Sequence, residues 1–294
     1  MPELPDITVY VERAQSLLQG RTLRRVRVLN PFVLRTAVPV ISSIEGRSVQ
    51  GVERLGKRVV LAFEGGLLLV IHLMIAGRLR WLAPGAKPPG KLALASLEFD
   101  HGLLVLTEAG TTRRASMHLV ADRAALAAMD PGGIDVMACD AASFEARLRS
   151  ENHTLKRALT DPRLFSGIGN AYADEILHRA RLSPVALTRS LPAADVQRLL
   201  EATRAVLAAW TARLLAEAPV WPDKVTAFRP GMAVHGRYGQ PCPVCGAPVQ
   251  RIVHANNETN YCARCQTGGK LLADRALSRL LKASWPRHID DIDP

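Results

Sequence analysis

Several things are scarce in this 294-residue chain, and each scarcity removes a class of protein. Long apolar runs are missing. The most apolar window, "LLLVIHLMIA" (67–76), contains His72 and is far shorter than the ~18–20 residues of a membrane span, so no membrane is expected. A basic-then-apolar leader is missing too, because the chain opens "MPELPD". Cysteine is sparse: five residues, four of them in two Cys-x-x-Cys pairs and Cys139 alone, which excludes a disulfide scaffold and fits a cytoplasmic, reducing location. Acid is in deficit, 27 Asp and Glu against 38 Lys and Arg, and the resulting +11 favours a polyanionic partner. No internal repeat is present. What is plentiful is apolar residue, 48% of the chain, enough for folded cores and, at this length, for two domains.

The pattern changes period along the chain. Residues 6–19, "DITVYVERAQSLLQ", carry apolar positions at helical spacing and run into Gly20, which predicts a helix with a glycine C-cap. Residues 22–107 alternate or are β-branched, with turns at "EGG" and "DHG", which predicts an all-β sandwich or barrel behind that helix. From about 120 the pattern is helical: "DRAALAAMD", "SFEARLRS", "TLKRALTD" and then a long Ala-rich helix in "PAADVQRLLEATRAVLAAWTARLLAEA", capped by a residue such as Asp195. "DPGG" (130–133) reads as a linker. After "APVWPDKV" the chain becomes Gly-, Pro- and Cys-rich, and "ADRALSRLLKASW" (273–285) predicts one more amphipathic helix. The expected class is α+β. The expected domains are an N-terminal helix and β-sandwich over 1–120, a helical unit over 130–220, a zinc ribbon over 232–269 and an extension over 270–294.

Cys242, Cys245, Cys262 and Cys265 form Cys-x2-Cys-x16-Cys-x2-Cys. Two such knuckles offer four thiolates to one tetrahedral Zn²⁺, and with no open coordination position the metal is structural. So small a unit cannot bury enough surface by itself, so the metal holds it folded. "GIGNAYADE" (167–175) places Gly167 and Gly169 before Asn170 at the start of a helix. Main-chain amides there can meet a phosphate; a plain helix–turn–helix corner explains the residues equally well. "MPELPD" is likewise open to two readings: a stiff leader into the first helix or, once Met1 is removed, a free secondary amine on Pro2 beside Glu3.

Taken in order, "MPELPD", "GKR" in a strand, "IGNAYADE" in a helical hairpin and the four-cysteine ribbon resemble the formamidopyrimidine-DNA glycosylase / endonuclease VIII family, over nearly the whole chain to about residue 269. The resemblance implies a helix–two-turns–helix element in the helical unit and a monomer in the nucleoid. It implies base-excision repair of double-stranded DNA containing a damaged base, with both glycosylase and AP lyase activity. It implies Pro2 as nucleophile and Glu3 as the acid that assists opening of the sugar ring. An α-amine with a pKa near ~8 is partly neutral at physiological pH, which suits the role. Lys57 matches a hairpin lysine that touches a phosphate beside the lesion and aids catalysis. Asn170 and Lys156 match backbone-binding residues, and Glu175 matches an acidic position read as holding the proline pocket. A base must leave the stack for chemistry, and side chains fill its place; Met74 and Ile75 are the candidates for that wedge, and Arg113 in "TTRRAS" for the contact with the orphaned base.

The sequence also departs from the family. Asp6 stands where glutamate is usual, Ala115 replaces an aromatic, and Asn257 stands where the ribbon hairpin presents an arginine, with Arg251 or Arg264 available to compensate. Residues 218–232 do not match a base-capping loop, and the extension runs past the family's end. The pattern describes a divergent paralogue, with a catalytically weak binder of damaged or abasic DNA as the alternative.

Overall fold

The computed structural model describes residues 1–110, 112–254, 257–273, 279–280 and 286–291. The chain packs into two compact units, residues 1–131 with 210–226, and residues 132–209 with 227–294.

The first unit begins with helix α1 (Leu4–Leu18). It starts two residues earlier than the apolar spacing predicts, because Pro5 is tolerated in a first turn and Glu3 caps it. The cap is reciprocal: the Glu3 side chain accepts from the backbone of Asp6, and Asp6 Oδ2 accepts from Glu3 N–H at 2.9 Å. Ile7, Tyr10, Ala14 and Leu18 recur at three- and four-residue intervals and are fully buried.

Two four-stranded antiparallel sheets follow. One orders β1 (Leu23–Val28), β6 (Ala93–Phe99), β7 (Gly102–Glu108) and β5 (Gly77–Leu82); the other orders β2 (Val49–Leu55), β3 (Arg58–Phe63), β4 (Leu68–His72) and β8 (Ser116–Val120). Their inner faces share one core with α1, in which Leu61, Leu69, Ile71 and Met117 of one sheet join Leu97, Leu104 and Leu106 of the other. Each fully buried Leu or Ile contributes ~1.5–3 kcal/mol, so this unit has an ample core of its own. Trp221 completes it from residues 210–226: its Nε1–H donates to Leu79 O at 3.0 Å and its ring lies 5.6 Å from Tyr10. Arg13 secures the same segment through Ala218 O at 2.7 Å and Leu215 O at 2.8 Å. A short helix α2 (Arg123–Ala127), capped by Asp122, ends the unit's first segment.

The second unit opens with α3 (Ala141–Arg149), α4 (Leu155–Thr160) and α5 (Asn170–Ala180). Asp140 and Thr154 cap the first two, accepting from Ser143 N–H and Arg157 N–H. Helix α6 (Ala193–Glu217) is the long helix expected, but Asp195 lies inside its first turn, paired with Arg198 at 2.8 Å, and does not cap it. The division between the two units falls within this helix. Last come the hairpin β9 (Gln250–His254) with β10 (Asn257–Tyr261) and helix α7 (Ala263–Thr267). A small core of Val234, Val249, Tyr261, Leu271 and Ile289 backs them. Ile289 arrives from the extension, whose residues 287–289 exchange backbone hydrogen bonds with Gly269 and Leu271 at 2.8 and 2.9 Å. The helix predicted over 273–285 falls largely outside the described residues. Among those described, no helix is long and apolar enough to cross a membrane.

Candidate functional site

In the first unit the chain start is the centre of a charged cluster. Pro2 and Glu3 are both buried, at the head of α1. Burial pushes the Met1 α-amine below its ordinary value; the carboxylates of Glu3 and Asp6 raise it, and the cations Arg78 and Lys57 lower it. Four groups are thus within electrostatic reach of one amine. Lys57 occupies the two-residue turn between β2 and β3, in which Leu55 pairs with Arg58 and Gly56 takes φ +59°. Glycine at that first position is what a tight hairpin of this kind requires, and it fixes where the lysine points. His72 ends β4 directly opposite Arg58. Burial, reinforced by Arg58, Lys57 and His118, pushes its imidazole down to about 4, so it is neutral at pH 7.

Between β4 and β5 the chain turns sharply over Leu73–Gly77, closed by Gly77 N–H to Leu73 O at 2.9 Å. Met74 there takes φ +53°, a conformation that L residues adopt rarely. The turn leaves Met74 half-buried and Ile75 59% exposed, an apolar side chain held out into solvent. Arg78 braces it: Nη1 donates to Ile75 O at 3.1 Å and Gly77 O at 2.6 Å, and Nε to Val225 O at 2.7 Å. The same guanidinium is one of the cations felt at the chain start, so it ties turn and terminus together. In the sequence Arg78 carries no signal, being one arginine in an alternating strand. Arg113 is exposed after β7, its Nη2 on Lys91 O at 2.6 Å.

In the second unit, the residues matched to backbone binding gather at the start of α5. Lys156 Nζ meets Asp174 Oδ1 and Asn170 O, both at 2.5 Å, and is largely buried. Asn170 Nδ2 donates to Glu258 O at 2.8 Å. Asp174, buried itself, also pairs with His235 Nδ1 at 2.8 Å, and Phe228 stacks on that imidazole at 5.6 Å. Glu175, the next residue of α5, is buried as well. Its carboxylate accepts from three successive backbone amides, Ala233 at 2.7 Å and Val234 and His235 at 2.9 Å each. Asp174 and His235 were invisible in sequence because sixty residues separate them.

The four cysteine sulfurs lie within 4.8 Å of one another, with Cys245 and Cys262 3.3 Å apart and Cys242 and Cys265 3.9 Å apart. A tetrahedral zinc with bonds of about 2.3 Å separates its sulfurs by about 3.8 Å, so the donor set fits. Burial pushes the Cys262 thiol up and the Cys265 thiol up to about 11, so thiolates here need a cation to compensate them. The cluster holds one structural Zn²⁺. His178 Nε2 faces Cys242 Sγ at 3.3 Å from α5, and Cys262 N–H donates to Gln266 Oε1 at 2.8 Å. The two arginines proposed to stand in for Asn257 are both engaged. Arg251 lies over the Tyr238 ring at 4.2 Å and reaches Glu258 at 3.4 Å, while Arg264 pairs with Asp290 at 2.7 Å.

This combination of chain-start cluster, helical pair and cysteine finger has counterparts among known proteins. Residues 1–117 match the formamidopyrimidine-DNA glycosylase N-terminal domain, 130–212 the H2TH domain of the same enzymes, and 239–268 the zinc finger found in FPG and IleRS. The chain belongs to the formamidopyrimidine-DNA glycosylase family. The family's enzyme from Thermus thermophilus is 36% identical over 282 residues, spanning 92% of this chain and 100% of that one. A formamidopyrimidine-DNA glycosylase-like protein of Mycobacterium tuberculosis is 42% identical over 157 residues, 53% of this chain and 95% of its own. The crystal structure of the Thermus thermophilus MutM (Fpg) protein superposes with a TM-score of 0.76 at 32% identity, covering 90% of this chain and 98% of that one. Lactococcus lactis Fpg, solved in complex with DNA containing an abasic site, shares the fold at a TM-score of 0.81 and 22% identity, covering 90% and 99%. The cysteine finger is thus the family's zinc finger.

Proposed function

We propose that this family member is a bifunctional DNA glycosylase and AP lyase that excises damaged bases from double-stranded DNA through the secondary amine of Pro2. In this reading removal of Met1 frees the amine, which attacks the deoxyribose C1′ while the glycosidic bond to the base breaks. Attack as the base departs leaves a ring-closed aminal. Protonation of O4′ then breaks the C1′–O4′ bond and gives an open-chain iminium, which loses a C2′ proton to solvent and expels the 3′ phosphate, cutting the strand. Glu3 supplies the proton for ring opening, and Lys57 holds the phosphate beside the lesion. Ile75, with Met74 behind it, fills the space of the extruded base and Arg113 meets the orphaned one. Asn170 grips the backbone at the start of α5, the helix end that Lys156 anchors. The enzyme acts as a monomer, and its domains follow the boundaries 1–120, 130–220 and 232–269 with an extension beyond.

The observation that carries the proposal is the electrostatic setting of the chain start. Pro2 and Glu3 are buried together at the head of α1, and the Met1 α-amine just ahead of them is pushed down by burial, with Glu3 and Asp6 opposing and Arg78 and Lys57 assisting. An amine freed on Pro2 is set among these same groups. The test is borohydride trapping on duplexes containing an abasic site or a damaged base. The expected result is a covalent adduct on the mature protein, absent when Met1 is retained. Binding without any adduct on either substrate overturns the lyase and supports a binding-only protein.

A further inference from the structure

The part of the site that fills the gap is rooted on a buried acid, Glu108. It closes β7 and is 1% exposed. Across the sheet its register partner is Gly77, the residue that closes the turn presenting Ile75. Its carboxylate reaches the other way along the chain: Oε1 and Oε2 accept from Arg114 N–H at 3.1 and 3.0 Å, and Oε2 from Ala115 N–H at 3.1 Å. Ala115 then packs against Gly77, where an added Cβ would stand 3.0 Å from the alanine methyl and 2.2 Å from Leu73 O. One side chain therefore stands at the root of both segments, the one that carries Ile75 and the one that carries Arg113.

A buried carboxylate stripped of hydrogen-bond donors is costly, and the donors here are the backbone of the Arg113 segment itself. That segment cannot swing away without stranding the acid. Gly77 and Ala115, the two small residues at the junction, let the turn and the segment touch backbone to methyl. We infer that Glu108 is a positioning residue that fixes the Ile75 turn and the Arg113 segment as one rigid element, so that both side chains enter the gap in a DNA duplex together. Ordering two loops separately at the moment of insertion costs conformational entropy that a pre-joined element has already lost on folding. The inference rests on the base-extruding reading above.

The experiment uses the full-length, zinc-loaded protein and a duplex with an abasic site opposite 2-aminopurine, whose fluorescence reports unstacking. Borohydride-trapping rates are measured in parallel with each of the four natural bases opposite the site. In Glu108→Ala the fluorescence phase slows between about 10- and 100-fold, the effect of a displaced group on a geometrically demanding step. The ranking of trapping rates among opposite bases flattens as well. Glu108→Gln, which keeps the shape and one acceptor oxygen, shows both effects to a smaller degree. Loss of folding alone would not alter a base ranking in the soluble fraction. Should Glu108→Ala fail to fold, Glu108→Gln decides: a phase slower than wild type sustains the inference, and a wild-type rate overturns it. A wild-type response unchanged in both variants overturns the inference alone. A wild-type protein with neither fluorescence change nor adduct overturns the parent reading and the inference with it.

Discussion

Around α1 and the two sheets, Ile7, Tyr10, Leu61, Ile71 and Leu104 are completely buried, and apolar packing carries the first unit. Around the cysteine cluster the comparable core shrinks to Val234, Val249, Tyr261, Leu271 and Ile289. There the order is supplied by other means: four thiolates on a metal, Glu175 gripping three backbone amides, and Asp174 shared by Lys156 and His235. The difference matters for function. The nucleophile proposed at the chain start needs a stiff support, and a helix held by apolar burial gives it one that does not depend on the metal. The finger is held by ionic and coordination bonds, whose strength depends on zinc supply and protonation.

Perturbing each region separately tests this contrast. The largest effect belongs to the chain start: retaining Met1, or fusing any residue ahead of Pro2, should reduce the borohydride-trapped adduct to background while duplex binding, measured by fluorescence anisotropy, stays within about threefold. Loss of binding together with the adduct would mean that the terminus also holds DNA. Removing the metal comes next. Cys262→Ser, or chelation, should release one zinc per chain and forfeit a folding contribution on the order of 10 kcal/mol in the finger. Hydrogen exchange should then show finger amides unprotected and the amides of β3 and β4 unchanged; a collapse of both would abolish the distinction between the regions.

Glu175→Ala is expected to cost about 4 kcal/mol, since three backbone amides lose a charged acceptor together. Exchange at residues 233–235 should accelerate with zinc retained, and unaltered protection there would remove Glu175 from the account. The smallest effect concerns His72. Its folded-state value, pushed down to about 4, lies below the unfolded ~6.5, so the unfolded chain binds the extra proton between those limits. Stability of the first unit should be fully present above pH 6.5 and fall by up to ~3 kcal/mol as pH drops towards 4. In His72→Gln that part of the slope should vanish from urea titrations; a slope of unchanged size would assign it to other groups.

The sequence by itself determined the order of elements and the metal. Alternation over 22–107 is a local consequence of strands burying one face, and the helical spacing of Ile7, Tyr10, Ala14 and Leu18 is a local consequence of 3.6 residues per turn. The cysteine spacing is local as well, because two knuckles need only a few residues each. Pro2, Glu3, Lys57 and Asn170 were legible as motif residues, each beside its own glycines or prolines. What only the tertiary structure decided were the partnerships between distant residues. No spacing rule links Asp174 to His235, Glu175 to the amides of 233–235, Trp221 to Leu79, or Gly77 to Glu108 and Ala115. Such pairs exist because buried charges and donors must find partners wherever the fold brings them, and long-range pairing leaves no periodic trace in the chain. The exposure of Ile75 was of the same kind. Its residue type suits a core strand, and only the left-handed Met74 beside it, with Arg78 bracing the turn, turns it outward.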